Sequence, residues 1–235
     1  MSFKESPDRP YTIFRPKNKE EWLAGRTIGG SEAAAILNMS PWESPMELFM
    51  RLSGVSDGKK DVSNAATARG TKLEKDVRAF VSVYYPQYRV VPPPANNWVF
   101  RRKDKHYMTG SLDGYLVDRS DHDRRGVLEI KTHDVRGRED SENWLNGKLP
   151  QQYYIQVLHY LNVTGYDFAV LVASLAFYDY NRRRDRVLDH IEIRPYYFDA
   201  GELREDLEME EKAVTDFWNE NVQKGIPPKV VMKLS

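Results

Sequence analysis

The stretch VLEIKTHD, residues 127–134, places Glu129 and Lys131 inside a run that otherwise opens as Val, Leu and Ile. β-branched and apolar residues in a run of this length predict a strand. Side chains alternate along a strand, so Val127, Glu129 and Lys131 share one face while Leu128, Ile130 and Thr132 share the other. One charged pair therefore falls on a face expected to be buried. Taken alone, an E-x-K triplet reads as a surface salt bridge on an edge strand. It gains meaning only if further acids and donors converge on it.

The 235-residue chain is long enough for one large domain, and with no internal repeat or low-complexity linker we read it as a single domain over residues 1–235. Its 35 Lys and Arg residues balance 35 Asp and Glu residues, which excludes a global basic field for nucleic acid. Local patches stay open at Arg101-Arg102-Lys103 and at Arg182-Arg183-Arg184-Asp185-Arg186, although such runs are ordinarily solvated loops. The absence of cysteine removes disulfides, thiolate metal sites and cysteine nucleophiles together, and suits a reducing cytoplasm. The opening MSFKESPDRP has no apolar signal region and no run reaches membrane-spanning length, so a soluble, cytoplasmic protein without membrane partners is expected.

Residues 1–15, rich in Pro and charge at the start, read as an extended arm. Short helices are predicted over Glu20–Ala24 and, after Gly29-Gly30, over Ser31–Leu37 with Ser31 as N-cap. Ser44-Pro45-Met46-Glu47 forms a capping box with Pro at the first helical position, opening a helix to Leu52. Leu73, Val77, Phe80, Val81 and Tyr84 line one face of a helix from Ser63 to Tyr84. Strands follow at Tyr88–Val91, Asn97–Arg101, Met108–Val117 and Gly126–Thr132, the last two joined as an antiparallel hairpin by DRSDHDRRG. Pro150 opens a helix to Val163 that buries Tyr153, Val157, Tyr160 and Leu161. The apolar run Phe168–Leu175 is the expected sheet centre. A strand at VLDHIEIRPYYF and an amphipathic helix over Gly201–Val222 complete a mixed α/β (α+β) fold, a central mixed sheet flanked by helices.

On the partner strand of the hairpin stands Asp113, in TGSLDGYLVD. Asp-Gly is ordinarily a turn signal, but here it lies among apolar residues, before the turn. Asp113 and Glu129 on adjacent strands suit a hard divalent cation such as Mg²⁺, with the Ile130 carbonyl as a further oxygen ligand. Lys131 would sit beside an attacking water or a developing negative charge. Glu74, in RGTKLEKDVRAF, lies at the margin of its helix's buried face. It reads either as a solvated glutamate or as a third acid that completes the metal shell or orients the water. The Gly-Gly turn before Ser31 offers free N–H groups and a helix N-terminus to an anion, with Arg26 about one turn upstream; the ordinary alternative is an N-cap and a surface arginine. Trp22, Trp42 and Trp98 read first as packing residues.

IGGSEAAAILNMSPW, RGTKLEKDV, TGSLDGYL, LEIKT and QQYYIQVLHYLNVTG occur in that order. The sequence thereby resembles the YqaJ-type viral recombinase family, relatives of the lambda phage exonuclease within the PD-(D/E)xK nuclease superfamily, from about Trp22 to about Ala173. The resemblance implies a PD-(D/E)xK restriction-endonuclease-like core. It also implies Mg²⁺-dependent digestion of double-stranded DNA ends from the 5′ side by a phage- or prophage-encoded enzyme, with one or two ions and Mn²⁺ as a substitute. It further implies a homotrimeric ring and a single-strand annealing protein as partner. By position it assigns metal binding to Asp113 and Glu129, the catalytic lysine to Lys131, the helical glutamate of the site to Glu74 and a glutamine beside the centre to Gln156. Arg26 and Ser31 take the 5′-phosphate grip, and Ser111 a further phosphate contact. Asn38 departs from the family's usual glycine, and Leu158 from a second glutamine. An endonuclease or nickase on the same core, or a DNA-end-binding scaffold with a silent site, are the rival readings.

Overall fold

The structure is a computed structural model that describes residues 8–56, 65–93, 98–135, 137–145, 147–180 and 186–229. The first seven residues of the expected arm, Ser63, Asn97 and residues 181–185 of the basic turn lie outside the described residues. In chain order the elements are β1 (Tyr11–Phe14), α1 (Lys19–Ala24), α2 (Gly30–Ile36), α3 (Pro45–Leu52), α4 (Ala65–Tyr84), β2 (Tyr88–Val91), β3 (Val99–Arg102), β4 (Thr109–Gly110), β5 (Gly114–Asp118), β6 (Arg125–Val135), α5 (Gly137–Glu142), α6 (Gln151–Thr164), β7 (Phe168–Tyr180), β8 (Arg186–Asp199) and α7 (Arg204–Asp216). A π-type segment, Phe217–Val222, continues α7.

Five strands form one sheet in the order β2-β5-β6-β7-β8. The β2/β5, β5/β6 and β7/β8 pairs are antiparallel, whereas β6 and β7 run parallel. A parallel pair needs a long crossover, and α5 and α6 lie on it. Strand β7 is buried along its apolar run, with Phe168, Ala169, Val170, Leu171, Val172 and Ala173 all fully enclosed. Burial of each larger aliphatic there stabilises the fold by about 1.5–3 kcal/mol. On one face Val77 and Val81 of α4 pack with Leu116, Leu128, Ile130, Val170 and Val172. On the other, Val127, Leu171, Ala173 and Leu175 cluster with residues of α2 and α6. VLEIKTHD is thus a central strand covered on both sides, not an edge.

The expected strand Met108–Val117 is two strands in two sheets. Thr109–Gly110 pairs with β3 in a small β1-β3-β4 sheet, and Gly114–Asp118 pairs with β6. The break has a physical cause in Thr109, whose N–H and hydroxyl both donate to the Ile28 carbonyl, at 2.8 and 3.2 Å. Asp113 therefore occupies the bend before β5 rather than the strand itself. Part of the expected arm is ordered as β1, whose Tyr11 is buried and whose partner is β3.

Local chemistry accounts for the helix ends. Asn18 Oδ1 accepts from Glu21 N–H to open α1, and Ser44 and Glu47 exchange capping bonds around Pro45 to open α3. Ser31 does not cap α2. The cap is Gly29, whose N–H donates to Glu32 Oε2 at 3.1 Å, and Ser31 lies inside the first turn. Asn38 has φ 56°, a left-handed conformation that asparagine tolerates better than most residues. Tyr84, expected on the buried face of α4, is exposed because the helix ends there, beyond the sheet contacts of Val77 and Val81.

Candidate active site

The switch between the two sheets brings the polar residues together. Continuing the β5/β6 register one step past Gly114↔Leu128 sets Asp113 opposite Glu129, on the same face. The Asp113 Oδ2 atom accepts a hydrogen bond from Ile130 N–H at 2.8 Å, which pins the carboxylate to the strand carrying the E-x-K triplet. Lys131 Nζ meets Glu129 Oε1 at 2.6 Å, with Glu129 only 3% exposed and Lys131 19%. The charged pair of VLEIKTHD is therefore enclosed. A buried ion pair is at best a weak source of stability, so stability alone does not explain its presence.

Gln156 on α6 donates to Glu129 Oε1 and to the Tyr160 hydroxyl, each at 2.8 Å. Glu129 Oε1 is therefore held by both Lys131 and Gln156, while Oε2 is buried with no hydrogen-bond partner. Leaving a buried carboxylate oxygen unpaired costs on the order of 1–3 kcal/mol unless a further group satisfies it. A hard cation would do so. Asp113, Glu129 Oε2 and the Ile130 carbonyl are oxygen donors of the kind Mg²⁺ takes, with waters filling the remaining positions. Among the described residues no three acidic, histidine or cysteine side chains form one ligand set. Glu74 instead lines the cavity from α4, paired with Arg78 at 3.3 Å.

The electrostatics follow from burial and proximity. Desolvation, then repulsion from Glu129, pushes the Asp113 carboxyl up to about 7. Desolvation also raises Glu129 against the opposing pull of Lys131, and raises Glu74 with Asp113 adding to the effect. Burial disfavours the Lys131 ammonium, but Glu129 and Asp113 outweigh it and hold the lysine charged. A strained set of acids beside a fixed cation is the usual signature of a functional site.

Arg26 lies with its guanidinium 4.5 Å from the Trp22 ring centroid and 3.9 Å from Glu32. The Trp22 indole N–H donates to Ser111 Oγ at 3.0 Å, which couples the Arg26 loop to the sheet switch. Arg26, Ser31, Ser111, Glu74, Asp113, Glu129, Ile130, Lys131 and Gln156 all line one cavity of about 290 Å³ with Trp22, Thr132 and Tyr160. All nine residues named from sequence thus meet in one place. Sequence reasoning missed Arg78, which bridges the Glu74 carboxylate and the Asp113 carbonyl at 3.0 Å. Its spacing of four from Glu74 in RGTKLEKDVRAF was the available signal. Trp22 is more than packing, since it orients both Arg26 and Ser111.

Gly30 permits this assembly. A Cβ there would lie 2.3 Å from Gln156 Cγ and 3.1 Å from Gln156 Cα. Gly30→Ala is expected to force α2 and α6 apart, at a cost of about 1–3 kcal/mol in a urea unfolding titration.

A family model for the YqaJ-like viral recombinase domain matches residues 21–167. The chain belongs to this family. It is 28% identical over 218 residues to the uncharacterized protein YqaJ of Bacillus subtilis (strain 168), covering 90% of this chain and 59% of that one. The chain therefore spans 59% of the length of that relative. An alkaline exonuclease from Laribacter hongkongensis (LHK-Exo) has a similar structure, with a TM-score of 0.57, 22% identity and coverage of 88% of this chain and 94% of that one. The same enzyme in complex with dAMP gives a TM-score of 0.57 at 23% identity. The YqaJ-family chain thus shares a fold with this exonuclease, and it has the mixed sheet flanked by helices expected from its sequence. The matched region ends near Tyr166 and Asp167, so β7, β8 and α7 lie beyond it. Among the described residues no helix is long and apolar enough to cross a membrane.

Proposed function

We propose that this protein is a metal-dependent deoxyribonuclease that digests linear double-stranded DNA from the 5′ end, leaving 3′ single-stranded tails for single-strand-annealing recombination. The observation that carries this reading is one cavity lined by two chemically distinct sets of residues. Asp113, Glu129, Ile130 and Lys131 share it with Arg26, Ser31 and Ser111. The first set suits a hydrolytic centre, the second an anion. Family membership and the exonuclease fold support the same class. The trimeric ring, an annealing-protein partner, action in the cytoplasm of a bacterial host and one nuclease domain over the whole chain belong to this proposal.

Asp113, Glu129 and the Ile130 carbonyl would hold Mg²⁺, with Glu74 placed for a second ion or a water. When bound, the ion supplies Lewis-acid polarisation of the phosphoryl oxygen and a more acidic water. Lys131, kept charged by its neighbours, donates hydrogen bonds to the attacking water or to the phosphoryl oxygens as negative charge grows on them. Gln156 holds Glu129 through Oε1 and so leaves Oε2 available to the ion. Arg26, stacked on Trp22, presents its fork to a terminal phosphate, and the Ser31 and Ser111 hydroxyls add donors. Holding that phosphate sets which end enters.

Because Asp113 titrates at about 7, cation binding must displace its proton below that pH. Mg²⁺ affinity is expected to rise roughly tenfold per pH unit up to about 7 and then level off, as calorimetric titration between pH 5.5 and 8.5 would report. The enzyme class itself is tested by incubation with a linear duplex and a covalently closed circle, in Mg²⁺ and in chelator. Mg²⁺-dependent loss of the linear DNA alone is expected. Cutting of the circle would make the protein an endonuclease, and binding without cleavage would favour a scaffold.

A further inference from the structure

His159 is fully buried on α6, one turn after Gln156, and takes no part in the chemistry described above. Its Nδ1 lies 2.8 Å from Glu210 Oε1, and its Nε2 lies 3.0 Å from both the Ile28 and Thr109 carbonyl oxygens. Both neighbours of Nε2 are carbonyl oxygens, so Nε2 carries a proton and donates it to them, while Nδ1 shares a proton with the Glu210 carboxyl group. Glu210, also buried, accepts in addition from Asn162 Nδ2. Burial alone would keep the ring neutral, and Glu210 with the two carbonyls outweighs it.

The two carbonyls mark the junction of the site. Ile28 stands between Arg26 and Ser31, and Thr109 stands just before Ser111 and Asp113. Ile28 and Met108 form an isolated bridge, flanked by the Thr109 N–H bond to Ile28 O and the Ile28 N–H bond to Tyr107 O. His159 thus donates into a point where the Arg26 loop, the Asp113 segment and the Gln156 helix meet. Glu210 belongs to α7, outside the region matched by the family model.

We infer that His159 and Glu210 form a positioning pair, through which helix α7 holds the Arg26–Ser31 loop and the Ser111–Asp113 segment in register across the cavity. The consequence for DNA rests on the proposed end-binding function; the clamp itself does not.

The decisive variant is the double replacement His159→Leu with Glu210→Leu. Exchanging a buried ion pair for apolar side chains of similar volume offsets much of the lost pairing, so this variant is expected to fold, with a Tm lowered by the Ile28 and Thr109 carbonyls and the Asn162 amide that lose a partner. Amide hydrogen exchange in 26–31 and 109–113 should nevertheless accelerate at least tenfold, because the shared donor is lost. In chelator, the preference for a 5′-phosphorylated over a 5′-hydroxyl duplex end should fall toward one. Glu210→Gln retains a partner for Nδ1 and should restore both properties. It also serves as the folded control if the double variant does not fold: Glu210→Ala, measured beside it, should then show the faster exchange. Wild-type exchange in both segments of a folded variant lacking the pair would overturn the inference. If wild type itself shows no 5′-phosphate preference, the end-binding reading fails, while the exchange measurement still decides the clamp.

Discussion

Asp113→Asn is expected to eliminate Mg²⁺ binding and lower DNA cleavage by at least about a thousandfold, while making the protein more stable above neutral pH. The amide carbonyl of asparagine can still accept from Ile130 N–H, so the bend before β5 survives. What disappears is a carboxylate that burial and Glu129 both oppose. The sign follows from linkage. The folded pKa of about 7 lies above the ordinary 3.8, so the folded state favours the protonated acid. That stabilisation is complete below about pH 4 and is lost as pH rises through 7. The advantage of asparagine should therefore be largest near pH 8, on the order of 2 kcal/mol after solvent screening, and shrink toward pH 4. Urea unfolding at pH 5 and pH 8 measures it. A variant no more stable than wild type at pH 8 would contradict the electrostatic description of the cavity. Stability given up for a reactive arrangement is common at functional sites.

Lys131→Ala should reduce cleavage by roughly a hundred- to a thousandfold, the scale of losing one preorganised donor to a developing charge. Binding of phosphorylated duplex ends in chelator should change by no more than about threefold, because the proposed phosphate grip belongs to Arg26, Ser31 and Ser111. Removing Lys131 leaves Glu129 with Gln156 alone, so a stability loss on the order of 3 kcal/mol is expected. Circular dichroism at the assay temperature distinguishes that loss from unfolding. Full cleavage by a folded Lys131→Ala would remove the lysine from the chemistry.

Much of this arrangement is legible in the chain because its signals are local. Periodicity marks α4 and α6, the capping box marks α3, and the apolar run marks β7 at the centre. Asp113, Glu129 and Lys131 stand out because charge is costly in otherwise apolar strands. The misplaced boundary at Met108–Val117 has a different origin. Nothing within TGSLDGYL announces that Thr109 is claimed by Ile28, a hydrogen bond spanning 81 residues that divides one apparent strand between two sheets. The same kind of contact hides Arg78 and His159. As sequence, Arg78 is one more helix-surface arginine and His159 one more residue on an amphipathic face. Only the fold shows the first reaching the Asp113 carbonyl and the second pinning the loop that carries Arg26. Ser31 illustrates a competition that sequence underdetermines. Glu32 supplies the capping oxygen from inside the helix, which places the cap at Gly29 and leaves the serine hydroxyl at the cavity.

The measurement that tests the central claim most directly is digestion of a linear duplex labelled at one end or the other, with and without a 5′ phosphate, in Mg²⁺. If the cavity is a hydrolytic centre fed from a gripped 5′ terminus, label at the phosphorylated 5′ end is released first. The 5′-hydroxyl end should lag at least about tenfold, and Arg26→Ala should erase the difference. Release beginning at 3′ ends, or equal rates with and without the phosphate, would contradict the assignment of Arg26, Ser31 and Ser111 to the phosphate grip of a 5′-end nuclease.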